Sequence, residues 1–491
     1  MGLFATLKEI RGGYPGGWKK YSHGKVSHRA TPPFAQPTDP DDRRTNIPGD
    51  GLKEYWYPAL PAKDVGWKRP VAIKIVNEEI VFFRDQNDEV KALWDYCPHR
   101  GVYLSWGQCF FKGFLTCPYH GATFDGEGEC VEFLTEGPDS KMVGAVKAKK
   151  YPTITLKGMV FVWMGEGEPV DPKEDIPSEM FEGKETAVFS TFRYWDCNWM
   201  IALENTHDAH NAFLVHRNAI RVMFSSRGDM GGRPRTPLGY RSRLINNKMA
   251  MTEFDNGAVG AYYAEKNGGK MPYKMYHPRV GGYWPLSSWR LSWVWFFRLI
   301  DRSSTSRNRS RPSPAMTQKD DKMTDDWQFG GMRLPGMQRL STFTRWCVPV
   351  DKDMTRVVYI SFGRAKSRLG RLWVAIKFKG YQQFLSHFNF SDQDYNAMRS
   401  TRWQYPEYLS ATDSHLVAER RLVAQHARGV KHAVEVNELT TAERRVIEGH
   451  ERQGVSRDDD YGIIAETETN GKEASEPEKV QEAAPTGDGN D

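Results

Sequence analysis

The sequence predicts an α+β protein, with a small antiparallel β domain over residues 52–165 and a larger α+β domain over residues 185–452. Three observations predict it. Short β-branched and aromatic runs, Val71–Val76, Ile80–Phe83 and Val90–Trp94, alternate with polar turns such as Gln86–Asn87–Asp88 and read as a meander of strands. A further strand pair, Thr153–Leu156 and Met159–Trp163, is split by Lys157–Gly158. After residue 185 the pattern mixes: Cys197–Phe213 reads as helix, Arg290–Ile300 and Arg356–Phe362 as strands, and Asp392–Glu419 as one long helix.

The remaining segments punctuate these two domains. Residues 1–51 are rich in Gly, Pro and charge and read as an extended arm. Residues 166–184 are a Pro- and acid-rich linker, Asp301–Asp326 is a polar stretch expected to be a mobile loop, and residues 453–491 form an acidic tail, disordered by composition.

Charge and cysteine content narrow the function. From Ala465 onward eight acids face two lysines, a net of −6, so the overall +6 leaves +12 on the rest of the chain. That excess suits an acidic partner, and with no Lys/Arg-rich run the reading excludes nucleic acid. Six cysteines in 491 residues are too few for a disulfide scaffold. The start of the chain lacks the basic-then-apolar order of a signal peptide, and the longest apolar stretch, Trp289–Ile300, is too short to span a bilayer. These features predict a reducing, cytoplasmic compartment.

Four of the cysteines lie between positions 97 and 130, and two of them belong to a pattern. Cys97-x-His99 is followed after seventeen residues by Cys117-x-x-His120. Each loop offers one thiolate and one imidazole. Zinc fingers usually pair Cys with Cys and His with His, so a structural Cys2His2 zinc site is the weaker reading. Mixed loops suit a [2Fe–2S] cluster with two thiolates on one iron and two imidazoles on the other, a ligand set that raises the reduction potential. Cys109 and Cys130 match no ligand position and read as small buried residues.

A cluster domain needs only about a hundred residues, so the remainder requires another role. Asn198–Asn218 is a helical stretch dense in His, Asp and Asn, flanked by apolar residues that need burial. Polar ligand types on such a helix are costly unless metal or hydrogen bonds satisfy them. Two histidines and one carboxylate form the facial triad of oxygen-activating iron(II).

The motifs Cys97-Pro98-His99-Arg100-Gly101 and Cys117-Pro118-Tyr119-His120-Gly121, followed by Thr123-Phe124-Asp125, resemble the Rieske non-haem iron oxygenases, with the carbazole- and phthalate-type terminal oxygenases (α subunits) most similar in look. The resemblance covers Glu54 to Arg420. It implies a Rieske domain and a catalytic domain with a mononuclear Fe(II). It also implies an Asp-x2-His-x4-His helix with a distant aspartate, and a head-to-tail homotrimer in which Asp208 bridges one subunit's cluster to its neighbour's iron. Asp208 and His216 match the two ends of that pattern. The middle position is Asn211, with His210 one residue earlier. Because imidazole is the stronger iron ligand, His210 and His216 are the expected pair, with Asn211 and His207 as alternates. Asp394 is the expected third ligand and Asp392 its reserve, while Ser391 or Asp392 would cap the last helix. The implied function is the oxygenase component of a multicomponent system, a mono- or dioxygenase. Electrons would pass from NAD(P)H through a separate ferredoxin and/or flavin reductase, with Arg100 and Lys112 first in docking the donor. O2 would hydroxylate an aromatic or polycyclic, apolar substrate. The competing reading is a Rieske electron-transfer or binding protein with a degenerate mononuclear site.

Overall fold

The computed structural model describes residues 39–206, 239–245, 248–254, 332–340, 343–410, 413–430 and 438–452. The expected strand Arg290–Ile300, the loop Asp301–Asp326 and the acidic tail lie outside the described residues.

The small domain consists of short antiparallel strands: β1 (Trp56–Pro61), β2 (Val71–Ile75), β3 (Glu78–Arg84), β4 (Val90–Trp94), β5 (Leu115–Thr116), β6 (Ala122–Phe124), β7 (Cys130–Phe133), β8 (Lys150–Tyr151), β9 (Thr153–Leu156) and β10 (Met159–Trp163). They form three sheets, in the orders β1-β10-β9, β2-β3-β4-β8 and β5-β6-β7. The meander and the second strand pair stand as expected. One boundary differs. Val76 belongs to a two-residue turn, with φ of +49° at Val76 and +60° at Asn77. A β-branched residue rarely accepts positive φ. Here the turn is held from outside, because the Val76 and Asn77 N–H groups donate to Pro349 O and Val350 O at 2.9 Å each. Those acceptors belong to the second domain, so the hairpin tip pins the two domains together.

The larger domain is built on an antiparallel sheet that, among the described residues, has seven strands. They are β11 (Thr186–Trp195), β12 (Gly239–Ile245), β13 (Lys248–Phe254), β14 (Met332–Arg333), β15 (Met337–Leu340), β16 (Phe343–Asp351) and β17 (Met354–Arg364), in the order β11-β17-β16-β15-β14-β13-β12. The β17 strand contains the expected Arg356–Phe362. Among the described residues, six α-helical segments accompany them: α1 (Pro172–Asp175), α2 (Trp199–Glu204), α3 (Arg368–Lys377), α4 (Ser391–Met398), α5 (Ser414–His426) and α6 (Thr441–Arg452).

Three expectations need correction. The single helix expected over Asp392–Glu419 is two, α4 and α5: residues 401–410 between them are non-helical and contain Pro406, a residue that disfavours the α conformation before it. Neither Ser391 nor Asp392 caps α4. Helical backbone runs unbroken from α3 through π-helical turns over Phe378–Gln382 and Phe384–Phe390, so Phe390 ahead of α4 is itself helical and no cap is required. The end of the arm is not extended either. Arg43–Asn46 forms a 3₁₀ turn whose Arg43 Nε donates to Glu443 Oε1 of α6 at 2.6 Å, and whose Arg44 Nη1 donates to Trp403 O at 2.7 Å.

One hydrophobic core runs through both domains, from Trp56, Tyr57, Ile73 and Phe161 to Trp199, Trp346, Tyr359 and Leu422. A second, smaller core of Val81, Leu93, Leu104, Phe124 and Phe133 lies under the cysteine loops. Between the cores, Glu78 ties three elements together. It accepts from Lys53 at 2.8 Å, from Lys149 at 2.9 Å and from the Tyr151 hydroxyl. Burial pushes this carboxyl up, but the three donors outweigh burial and bring it down to about 2. A carboxylate with a lowered pKa stabilises the fold above its unfolded value and loses that contribution as pH falls through the folded one. Glu78→Gln is expected to cost about 2 kcal/mol at neutral pH, discounting for partial exposure. Denaturant unfolding should show the difference shrinking from about pH 4.5 downward and vanishing near pH 2.

Candidate metal centres

Two loops of the same construction emerge from the small domain. In the first, which follows β4, the Cys97 N–H donates to Val102 O at 2.8 Å and the Gly101 N–H to Cys97 O at 2.8 Å. In the second, between β5 and β6, the Cys117 N–H donates to Ala122 O at 2.8 Å and the Gly121 N–H to Cys117 O at 3.2 Å. Both loops close on a glycine at φ +73°. At Gly121 a Cβ would also meet Leu134 at 2.6 Å, so backbone freedom and space both require glycine there.

This geometry delivers the donors in two pairs. Cys97 and Cys117 are buried, at 2% and 3% exposure. Their thiols hydrogen-bond each other, and each sulfur also receives backbone N–H groups, from His99 and Arg100 on Cys97 and from Tyr119 and His120 on Cys117. The shared hydrogen bond brings Cys117 down to about 6 and holds Cys97 well above the usual thiol range. The pair therefore releases its first proton readily, as a thiolate ligand must. His99 and His120 are half-buried with ring centroids 4.7 Å apart, and Phe133 contacts both. Asp95 buttresses the first loop by accepting from the Ser105 N–H and hydroxyl, both at 2.6 Å, while burial pushes its carboxyl up to about 6. Arg100 lies 5.8 Å from the Tyr119 ring centroid and joins the loop tips. Beside His120 an open groove of about 330 Å³ is lined by Trp106, Gln108, Phe110, Tyr119 and Leu134. Cys109 and Cys130 are buried in the same small core as Cys97 and Cys117.

Two thiols on one side and two imidazoles on the other match the donor set of a Rieske cluster. The family model for the Rieske [2Fe-2S] domain matches residues 55–152. Those residues are a Rieske [2Fe–2S] domain. Curated relatives share it. The chain is 35% identical over 174 residues to the terminal oxygenase component of carbazole 1,9a-dioxygenase from a Sphingomonas species, covering 35% of this chain and 45% of that protein. It is 34% identical over 174 residues to the oxygenase subunit of tert-butanol monooxygenase / tert-amyl alcohol desaturase from Aquincola tertiaricarbonis, covering 35% of this chain and 36% of that one. The matched stretch thus spans less than half the length of these relatives. Likeness of fold reaches beyond the Rieske domain. The terminal oxygenase of carbazole 1,9a-dioxygenase from Novosphingobium sp. KA1 superposes with a TM-score of 0.55 at 24% identity, over 79% of this chain and 97% of that one.

Of the expected second site, only flanking elements and Asp394 fall among the described residues. Asp208, His210 and His216, with the alternates His207 and Asn211, lie outside the described residues. The helix that leads to them, α2, is buried at every position. Asn198 caps it by accepting from the Met200 N–H at 2.9 Å, while its own amide donates to Gly49 O and Lys352 O. At the other end Arg345 donates to Ala202 O at 2.8 Å, to Asn205 Oδ1 at 3.4 Å and to the Thr206 hydroxyl. The Arg420 Nε donates to Glu204 at 2.7 Å.

Asp394 is buried in α4, within electrostatic reach of Arg345. Arg345 also lies 4.6 Å from the Trp195 ring centroid, and Trp195 contacts Tyr395, whose hydroxyl donates to Asp196 at 2.8 Å. A buried bracket of Arg345, Trp195, Asp196 and Tyr395 therefore connects the end of α2 to the segment that carries Asp394. Asp392 lies on the same helix. Among the described residues, no group of three or more His, Cys, Asp or Glu side chains converges on one point.

The sequence reading passed over Arg345 and His387. His387 is fully buried, its Nδ1 is 3.0 Å from the Thr191 hydroxyl, its ring stacks on Tyr359 at 4.4 Å, and burial lowers it to about 3, so it is a neutral imidazole. The available signal was modest: a basic residue inside the apolar runs Phe343–Val350 and Phe384–Phe390.

Proposed function

We propose that the chain is the oxygenase component of a multicomponent Rieske system. It would take electrons from NAD(P)H through a separate ferredoxin and/or flavin reductase and use O2 to hydroxylate an aromatic or polycyclic substrate. One observation carries the reading: the domain that bears the paired Cys/His loops shares its main core with a second domain, and the fold superposes on a terminal oxygenase over most of the chain. A solved complex of the oxygenase with its ferredoxin in carbazole 1,9a-dioxygenase, similar to this chain with a TM-score of 0.56 at 21% identity, supports a ferredoxin-type donor.

In this reading Cys97 and Cys117 hold one iron as thiolates, and His99 and His120 hold the other through neutral ring nitrogens. His210, His216 and Asp394 hold the mononuclear Fe(II), with Asn211, His207 and Asp392 as alternates. When bound, the cluster supplies one-electron transfer and the mononuclear iron supplies O2 activation. The backbone N–H groups on the two sulfurs stabilise the thiolates. The half-buried imidazoles at the loop tips are placed to donate to a carboxylate, and Asp208 of an adjoining subunit in a homotrimer fits that role. Six unpaired thiols suit a reducing, cytoplasmic setting. Among the described residues no helix is long and apolar enough to cross a membrane.

Iron analysis tests the proposal. About three irons per chain support an oxygenase, and about two support an electron carrier. The second reading rests on one observation, Asn211 at the position where the family places a histidine. Donor docking makes a further prediction. Arg100 and Lys112 are exposed beside the cluster loops on a chain that carries +12 outside its tail. At limiting donor, turnover should fall several-fold as salt rises to about 0.5 M, and Arg100→Glu should flatten the dependence. A salt-independent rate would remove electrostatics from the encounter.

A further inference from the structure

Helix α3 is amphipathic with its apolar side outward. Leu369, Leu372, Trp373 and Ile376 are 76%, 56%, 43% and 42% exposed, and no residue of the helix is buried. At 100° per residue these four fall in one stripe about 100° wide. The opposite side meets the sheet. Val374 packs so closely over Gly363 of β17 that a Cβ there would lie 2.3 Å from it, and Phe378, just past the helix, stacks on Phe189 at 4.6 Å. The helix is therefore firmly seated, and its stripe is left facing water.

The charge on the segment that carries the stripe has one sign. Between positions 364 and 379 the chain has six basic residues, Arg364, Lys366, Arg368, Arg371, Lys377 and Lys379, and no acidic one. Glu182 engages Arg364 at 2.5 Å, and Lys366, Arg368 and Lys379 are exposed. On the helical wheel Arg368 and Lys377 flank the stripe on its two sides.

We propose that α3 docks the protein on an anionic phospholipid surface, with Leu369, Leu372, Trp373 and Ile376 entering the boundary between headgroups and acyl chains and the flanking cations meeting lipid phosphates. Two arguments select lipid over a second copy of the chain. A ten-residue helix is about 15 Å long, so a stripe about 10 Å wide offers about 150 Å², far short of the roughly 800 Å² per partner of a stable interface. Symmetric pairing through this face would also bring like charges together. An interfacial helix needs only shallow burial of its apolar side and anionic headgroups around it, and this arrangement supplies both. The inference does not depend on the reaction at the metal centres. Its consequence for function is that an apolar substrate dissolved in the bilayer would be met at the surface where it is concentrated.

Flotation of the full-length holoprotein with vesicles tests the proposal, using phosphatidylcholine alone against phosphatidylcholine with about one third phosphatidylserine. Binding is expected on the anionic vesicles, weakened by salt and abolished by Trp373→Glu. Lys366→Gln and Arg368→Gln should each weaken it about fivefold. Visible absorption of the Rieske cluster checks that each variant is folded. If Trp373→Glu loses that absorption, Leu369→Gln, at the most exposed position, carries the test. No binding to either vesicle, or full binding by folded Trp373→Glu or Leu369→Gln, would overturn the proposal. So would an oligomer that these variants split, because the face would then belong to a second copy.

Discussion

Replacing Cys117 with serine is expected to remove the visible absorption of the Rieske cluster completely, and all turnover with it. A serine hydroxyl stays protonated where Cys117, down to about 6, gives up its proton, so one iron loses half of its protein ligands. The loop itself should survive, since its closing bonds, Cys117 N–H to Ala122 O and Gly121 N–H to Cys117 O, are backbone contacts that serine preserves. Iron should fall from about three per chain to about one. Cys109→Ser is the matched control. That thiol is also buried and is pushed up to about 11 by burial, but it stands outside the Cys/His pattern and the variant should keep its colour. A normal spectrum in Cys117→Ser would end the ligand assignment.

The second large effect is expected at Asp394. Asp394→Ala should lose the mononuclear iron while keeping the cluster spectrum, with turnover falling about a thousandfold or more, the loss of about 4 kcal/mol of barrier lowering. Asp392→Ala should keep both metals. If the two results are exchanged, Asp392 is the ligand. Arg345→Met adds a different readout, since it deletes the cation that joins the end of α2 to Trp195 and leaves the Asn205, Thr206 and Ala202 acceptors without it. Breaking such a buried arrangement costs about 3 kcal/mol or more, so reduced thermal stability should accompany weakened retention of the mononuclear iron.

The parts of the fold legible in the sequence were those fixed by local pattern. The meander over residues 71–94 and the pair around Lys157–Gly158 announce themselves by alternation and turn residues, and the Cys/His spacing announces the cluster because few other chemistries use mixed loops. What was not legible depends on distant partners. Val76 reads as strand because it is β-branched, and only the Pro349 and Val350 carbonyls make its turn conformation tenable. The π-helical turns ahead of α4 erase the expected cap at Ser391, and no local signal distinguishes them from ordinary helix. Arg43 and Arg44 read as part of a solvated arm because their partners, Glu443 and the Trp403 carbonyl, lie far along the chain.

The core shared between the domains has a practical consequence for anyone wishing to cut the chain. Trp56, Tyr57, Ile73 and Phe161 of the small domain are buried in the same cluster as Trp346 and Tyr359 of the large one. The Rieske segment is thus not a cassette. Expressed alone it would present an apolar face and the unpaired Val76–Asn77 tip to solvent, inviting self-association. Transplanted onto another oxygenase scaffold, it would arrive without the surface that completes it. Chimeras meant to alter electron delivery should exchange the loop tips, Pro98–Arg100 and Pro118–His120, and leave the hairpin tip and its seat on β16 with their native partner.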